Sequence, residues 1–461
     1  MERTYIKDVV TKIGEKVLLK GWINTIRDHG KITFLDLRDN TGIVQCVLLI
    51  PDGDLGLEYA IEIQGSIKKR PERMINKEME TGFVEIEVKK ITTLAKSYEL
   101  PFDMSKENLD LKLPTLLDYR SLTLRHPKIK AVFKVQNQIL DSYREYMKSQ
   151  GFSEFFAPTI VPVATEGGAE IFPIEYFKYK TFLAQSPQLY KQIMVGVFEK
   201  AFTVSRAYRA EPSVTTRHMT EYISLDAEFG FINSWQEIMS MTEGLIRKIF
   251  ADVEKNFSGE LKMFNSSIPK LSKKIPRIKL KEAQEIIFKE TGRDNRKEPD
   301  LDPQDEKDIC KHIFKKQGSE LVFITHYPTK KRPFYTYPDP QNPEYTYSFD
   351  LLGRGLEWVT GGQRINNYEQ LLLNIKKWGN NPDDFDIYLK AFKYGMPPEG
   401  GFALGLERMT MQILGLANIR EASYFPRDME RVDFRLSKFD TVRKNDQKKN
   451  KKQKNPPEKS N

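Results

Sequence analysis

Between residues 16 and 94, apolar and polar positions alternate in five short runs: KVLLKGWI, ITFLDLR, IVQCVLL, YAIEIQGSI and FVEIEVKKITTL. Alternation of this kind predicts half-buried strands, and the intervening DHGK, DNTG and PDGD supply turn residues. Five such strands fit a small closed barrel. The OB fold, which often binds single-stranded nucleic acid, has that strand count, as do other small barrels. Residues 1–95 are therefore expected to form a first domain. Residues 96–127 lack periodicity and end in LRHP, which reads as a hinge.

Beyond the hinge the period changes. Val132, Phe133, Val135, Ile139, Leu140, Tyr143 and Met147 recur at helical spacing from Lys128 to Ser149, and Gly151 is placed to end that helix. Strand-like runs then alternate with helices to about Phe434, without the repeated strand, Gly-rich turn and helix units of a doubly wound parallel sheet. The expected fold over 128–436 is α/β of the α+β kind, a central antiparallel sheet flanked by helices. Residues 258–315, Lys-rich and poor in aromatics, read as a small insertion.

Composition narrows the function classes. The 461 residues suffice for two or three domains. With 39% hydrophobic and 30% charged residues, no run nears the ~18 apolar residues a membrane helix needs. No apolar core typical of a secretory signal is visible, and Cys46 and Cys310 are too few for a disulfide framework or a four-cysteine zinc site, so a cytoplasmic protein is expected. The net charge of +9 is concentrated at the end: residues 443–461 carry eight Lys/Arg against two Asp/Glu. Residues 437–461 are expected to be a disordered basic tail, either solubilising or weakly RNA-holding. Residues 1–95 sum to zero charge, so any nucleic-acid contact there rests on local side-chain placement.

The chain has no GxxxxGK[ST] phosphate loop, no GxSxG elbow and no HExxH. Its polar chemistry is instead crowded into YRAEPSVTTRHMTEYISLDAE at 208–228, where Arg209, Glu211, Arg217, His218, Glu221, Asp226 and Glu228 fall together. A strand, a loop and a returning strand would aim alternate members into one cleft; a solvated hairpin is the plainer reading. In GFALGLERMTMQ at 401–412 glycines permit close backbone approach, and Arg408, at the start of an apolar-periodic helix, suits a phosphate.

These two segments resemble motifs 2 and 3 of the class II aminoacyl-tRNA synthetases, and GFSEFFAPTIVP at 151–162 resembles motif 1. The loop TEGGAE at 165–170, QSPQLYKQ at 185–192, RPFYTYPDPQNPEY at 332–345, GGQR at 361–364, KYGMPPEGG at 393–401 and NIREASYFPRD at 418–428 are similar to the aspartyl-tRNA synthetases of the archaeal and eukaryotic type. GWINTIRDHGKITFLDLRDNTGIVQ is similar to that family's anticodon-binding OB barrel. The resemblance runs from about residue 15 to 430.

The resemblance implies an aspartate-tRNA ligase, a homodimer with Pro158 of motif 1 at the subunit interface. Such an enzyme activates L-aspartate with ATP and Mg2+ and charges tRNA(Asp), with tRNA(Asn) open as a second acceptor. It implies Arg209 on the α-phosphate, Arg408 and His218 on the γ-phosphate, Glu211 on the adenine amino group and Tyr222 under adenine, with Arg217 and Met219 in the same ATP-binding loop. Asp350 and Glu357 match the acidic magnesium ligands, with Thr360 at the family's hydroxyl position. Lys191 and Arg364 match the pair that takes the substrate's side-chain carboxylate, a lysine that asparaginyl enzymes of this subclass normally lack. Asp226 would orient Lys191, and Gln188 with Glu166 would take the α-ammonium group. In the barrel Phe34 would stack on an anticodon base, Gln45 and Glu87 would read base edges, and Arg27 would contact backbone or base; Phe34 as barrel core is the competing expectation.

Three positions depart from the family pattern: Ala403 replaces a glycine and Glu399 stands where PPHGG has histidine, both expected beside the ATP pocket and so to change nucleotide affinity or loop closure, and Asn24 matches neither strict nor relaxed tRNA-selecting forms. An asparaginyl-tRNA synthetase, an asparagine-forming paralogue and an inactive RNA-binding pseudo-synthetase are the competing functions.

Overall fold

The computed structural model describes residues 1–49, 54–77, 79–163, 170–212 and 214–437. The basic tail after residue 437 and Glu166 of the TEGGAE loop lie outside them. The chain divides between Lys112 and Leu113 into two compact units.

In the first unit β1 (Lys16–Asp28), β2 (Thr33–Arg38), β3 (Ile43–Leu48), β4 (Ala60–Lys69) and β5 (Val84–Ala95) close a barrel in the order β1-β2-β3-β5-β4. Only the β3–β5 pairing is parallel. The period-two pattern decides which side chains enter: Val17, Leu19, Leu35, Leu37, Val44, Cys46, Ile61, Ile63, Val84 and Ile86 fill the interior. Phe34, Gln45, Glu85 and Glu87, which alternate with them on β2, β3 and β5, are only half-buried.

The second unit opens with two short helices, Leu113–Asp118 and Arg120–Thr123, inside the stretch that lacks sequence periodicity. Arg120 ties them to the unit, its guanidinium donating to the carbonyls of Glu421, Ser423 and Tyr424. The central sheet has eight strands, ordered Arg277–Lys279, Leu321–Thr325, Ser348–Gly353, Leu356–Arg364, Glu399–Gly405, Glu221–Gly230, Lys200–Tyr208 and Ser153–Glu154. Neighbours are antiparallel except at the two edges, where Arg277–Lys279 and Ser153–Glu154 pair in parallel. The segment 258–315 thus supplies an edge strand as well as helices Leu280–Thr291 and Pro303–Gln317, with a separate apolar cluster around Leu280, Ile287, Ile309 and Ile313.

Strand Glu221–Gly230 shows how the sheet separates core from site. Leu225, Ala227 and Phe229 join the core formed with helices Pro127–Ser149 and Gln236–Asn256. Tyr222, Ser224, Asp226 and Glu228 point to the other face, as alternation requires. The neighbouring strand must pass very close here: a Cβ on Gly401 would lie 2.1 Å from the Ala227 carbonyl oxygen and 2.3 Å from Glu228 Oε2. Only glycine leaves that space.

Candidate active site

A cavity of about 440 Å³ opens on that polar face. Its walls bring together Gln188, Lys191, Arg209, Glu211, Arg217, His218, Met219, Tyr222, Asp226, Glu357, Thr360, Arg364 and Arg408, residues spread over more than two hundred positions of sequence. Antiparallel pairing achieves this, since three adjacent strands each deliver alternate side chains to one floor.

One end of the cavity is a buried charge lattice. Lys191, on helix Gln188–Phe198 and 1% exposed, places Nζ 3.1 Å from Asp226 Oδ1 and 3.1 Å from Glu228 Oε2. Arg364 donates through Nε to Glu228 Oε1 at 2.7 Å and through a terminal nitrogen to Gln188 Oε1 at 3.4 Å. Burial opposes a charged guanidinium, yet Glu228 and Tyr335 beside it hold Arg364 above its ordinary value. Ser224 donates its hydroxyl to Asp226 Oδ2. Two cations are thus fixed by two carboxylates before any ligand arrives. Lys191 Nζ also donates to the Phe402 carbonyl oxygen at 3.4 Å. Buried cations of this kind suit an anionic group.

The other end is rich in arginine. Arg209 lies over the Tyr222 ring at 5.9 Å and 3.9 Å from Glu211. His218 Nδ1 shares a 2.8 Å hydrogen bond with Thr215 Oγ1, and its Nε2 stands 3.7 Å from Glu211. Burial, reinforced by Arg408, Arg217 and Arg209, holds the imidazole below its usual range despite Glu211. It therefore favours the neutral form at pH 7, with one N–H to donate. Arg408 donates to the Glu357 carbonyl oxygen at 3.0 Å.

Asp350 faces Thr360 across the strand pair, and Glu357 follows on the same hairpin. Burial and then Asp350 push the Glu357 carboxyl up, against Arg408, Arg332 and Arg209. Asp350 Oδ1 is buried with no hydrogen-bond partner among the described residues. Its other oxygen accepts from Arg332 at 2.7 Å, and Arg332 also donates to Thr360 Oγ1 at 3.2 Å. No three His, Cys, Asp or Glu side chains converge as a ready cation site among the described residues.

Several participants carried no role in the sequence reading. Glu228 was visible in the polar segment, but only strand register shows that it grips both Lys191 and Arg364. Arg332 begins the RPFYTYP stretch yet gave no sign of its partner Asp350. Glu306, from the segment 258–315, accepts from Arg217 at 3.2 Å; burial and Glu357 push its carboxyl up to about 7. Of the departures, Ala403 lines the cavity between Asp226 and Thr360, whereas Glu399 lies behind its wall.

In the first unit Arg27, Phe34, Gln45 and Glu87 stand on neighbouring strands. Arg27 pairs in register with Phe34 and donates to Asp36 Oδ1 at 3.2 Å and Gln45 Oε1 at 3.3 Å. Gln45 in turn donates to Glu85 at 3.2 Å, and Glu87 is paired with Lys68 and Lys89. Phe34 is half-buried, edge-on to His29 at 5.7 Å, and outside the barrel core, which excludes the competing core expectation. Pro158 is exposed, next to Phe156 at 85% exposure.

Comparison with known proteins agrees with both units. Residues 112–429 match the tRNA synthetases class II (D, K and N), and residues 17–94 match the OB-fold nucleic acid binding domain. An aspartate–tRNA(Asp/Asn) ligase of Deinococcus radiodurans is 39% identical over 441 residues, 94% of this chain and 99% of that protein. An aspartate–tRNA(Asp) ligase of Pyrococcus furiosus is 39% identical over 447 residues, 94% of this chain and all of that protein (100%). Among solved structures, asparaginyl-tRNA synthetase from Pyrococcus horikoshii complexed with asparaginyl-adenylate superposes with a TM-score of 0.86 at 31% identity, covering 94% of this chain and 99% of that one. Aspartyl-tRNA synthetase from Entamoeba histolytica gives a TM-score of 0.82 at 28% identity, covering 94% and 93%. The chain belongs to the class II tRNA synthetases of the D, K and N family and carries that family's reactive domain behind an OB-fold nucleic acid binding domain.

Proposed function

We propose that the protein is an aspartate–tRNA ligase. The observation that carries this choice within the family is the buried Lys191 and Arg364 pair at one end of the cavity. Two cations beside one substrate position favour a carboxylate over an amide, because both carboxylate oxygens accept from charged donors whereas an amide would turn its own N–H donors toward a cation.

In this reading L-aspartate lies with its side-chain carboxylate on Lys191 and Arg364, and Gln188 takes part in holding the α-ammonium group. The α-carboxylate oxygen attacks the α-phosphorus of ATP in line; the bond to the bridging oxygen breaks, and pyrophosphate leaves. Arg209 clamps the α-phosphate as charge builds there, while Arg217, His218 and Arg408 hold the outer phosphates. Glu211 accepts from the adenine amino group above Tyr222. The terminal tRNA hydroxyl then attacks the acyl carbon, releasing AMP.

Asp350 and Glu357 fit Mg2+, which commonly keeps several waters and takes one or two carboxylates together with substrate phosphates. The unpartnered Asp350 Oδ1 supports that fit. Thr360 is the weaker candidate, because its hydroxyl already accepts from Arg332. When bound, Mg2+ neutralises phosphate charge.

The barrel face around Arg27, Phe34, Gln45 and Glu87 is proposed to take the anticodon loop of tRNA(Asp), and the exposed Phe156 and Pro158 to lie in a homodimer interface. No helix among the described residues is long and apolar enough to cross a membrane, and the cytoplasm is the proposed location. ATP–pyrophosphate exchange with L-aspartate and with L-asparagine tests the activity: exchange should depend on aspartate, and robust exchange with asparagine would overturn it. Charging of tRNA(Asp) and tRNA(Asn) in parallel decides the acceptor range, on which the two curated relatives above differ by name.

A further inference from the structure

Glu399 is a fully buried carboxyl near the amino-acid end of the cavity that the proposed chemistry does not use. It is 0% exposed, and it opposes Arg364 in the register of strands Leu356–Arg364 and Glu399–Gly405. Its Oε1 accepts from Gln192 Nε2 at 2.8 Å, and the Gln192 side-chain Oε1 accepts from the Tyr388 hydroxyl at 3.0 Å. Its Oε2 is buried without a partner among the described residues. A carboxylate placed so would leave an anionic oxygen bare in a medium of low polarity, whereas an uncharged acid leaves at most a neutral oxygen.

Strand Glu221–Gly230 presents Glu228, strand Leu356–Arg364 presents Arg364, helix Gln188–Phe198 presents Lys191 and Gln192, and helix Asp386–Lys393 presents Tyr388. Lys191 and Arg364 are already engaged by Asp226 and Glu228, so the lattice is balanced without Glu399. We infer that Glu399 is a specificity-determining positioning residue, an uncharged acid that fixes Gln192 behind the pocket and adds no negative charge against the incoming aspartate side chain. An ionised Glu399 would repel aspartate and leave asparagine unaffected. Burial, followed by Glu228, pushes the carboxyl well above its ordinary range, in agreement with the geometry.

This rests on the aspartate reading, and two measurements keep the two separate. The first is the infrared difference spectrum of wild type minus Glu399→Gln at neutral pH, which needs no activity. A protonated-carboxyl stretch present only in wild type is expected; its absence overturns the inference. The second is aspartate-dependent ATP–pyrophosphate exchange in Glu399→Gln and Glu399→Leu. The leucine variant, which cannot hold Gln192, should raise the aspartate KM about tenfold with little change in kcat, and the isosteric glutamine should restore it to within about threefold of wild type. A tenfold change of KM in the glutamine variant, in either direction, shows that the charge matters and overturns the inference, as does an unchanged KM in the leucine variant. If wild type shows no exchange with aspartate, the proposed activity fails, while the infrared band still decides the state of Glu399.

Discussion

Replacing Lys191 by methionine tests the aspartate pocket most directly, because the structure predicts two separable losses. Methionine keeps the length and apolar stem but removes the charge that stands 3.1 Å from both Asp226 and Glu228. Glu228 retains Arg364 at 2.7 Å, and Asp226 retains the Ser224 hydroxyl. The uncompensated charge is therefore mainly that of Asp226, whose side chain is 1% exposed. Breaking a buried pair from one side costs about 3–5 kcal/mol, and the surviving hydroxyl argues for the low end. Substrate binding loses one charged hydrogen bond, about 1.5–3 kcal/mol, or roughly a tenfold to hundredfold rise in aspartate KM. Exchange kinetics at varied aspartate and varied ATP should show the first KM rising and the second holding. Thermal unfolding should show a lower Tm. Adding Asp226→Asn to Lys191→Met should recover most of the stability, since no bare carboxylate remains, and none of the aspartate affinity. An aspartate KM within about threefold of wild type in a folded Lys191→Met variant would refute the assignment.

Glu357→Ala should abolish aspartate-dependent exchange at ordinary Mg2+ while leaving the melting curve close to wild type, and near-normal exchange removes Glu357 from the phosphate site. Phe34→Ala should weaken tRNA charging by about 1–3 kcal/mol and leave exchange unchanged, since the ring is half-buried and outside the barrel core. A fall in barrel stability of the ~3–5 kcal/mol typical of a core phenylalanine would contradict that placement. Burial pushes the Glu407 carboxyl up to about 7, even though it accepts from the Ile223 N–H. A folded-state value above the unfolded one means that the folded protein binds more protons between about pH 4.5 and 7, so stability from this group is present below that window and is lost as pH rises through it. Glu407→Gln should therefore match wild type near pH 4 and exceed it above pH 7 by up to about 3 kcal/mol, and equal stability at both ends would rule this out.

The parts of the molecule legible in the sequence are those where neighbours in sequence are neighbours in space. The barrel strands declared themselves because an interior accepts every second side chain, and the long helix Pro127–Ser149 because its apolar stripe spans many turns. Helices Leu113–Asp118 and Arg120–Thr123 are too short to show a period; Arg120 holds them through carbonyls some three hundred residues away, a contact no local window contains. The cavity residues were readable as contiguous motifs, and the resemblance set Asp226 beside Lys191, yet other pairings were not readable. Glu306 meets Arg217 across 89 positions, and Arg364 meets Glu228 across 136.

Glu399 marks where composition-level reasoning stops. As an acid in place of a histidine beside a nucleotide pocket, it reads from sequence as a change in ATP binding or loop closure. Register and burial move it elsewhere. The strand that carries it runs between those of Arg364 and Glu228, so its side chain meets the back of the amino-acid lattice and not the phosphate end. A carboxyl there has two ways to exist, as an anion opposed by Glu228 or as a neutral acid tied to Gln192, and the absence of any partner on Oε2 among the described residues selects the second. The same residue type at the other end of the cavity, Glu211, has Arg209 and His218 within reach. What a side chain contributes thus follows from which strand lies beside it, information that exists only once the sheet order is known.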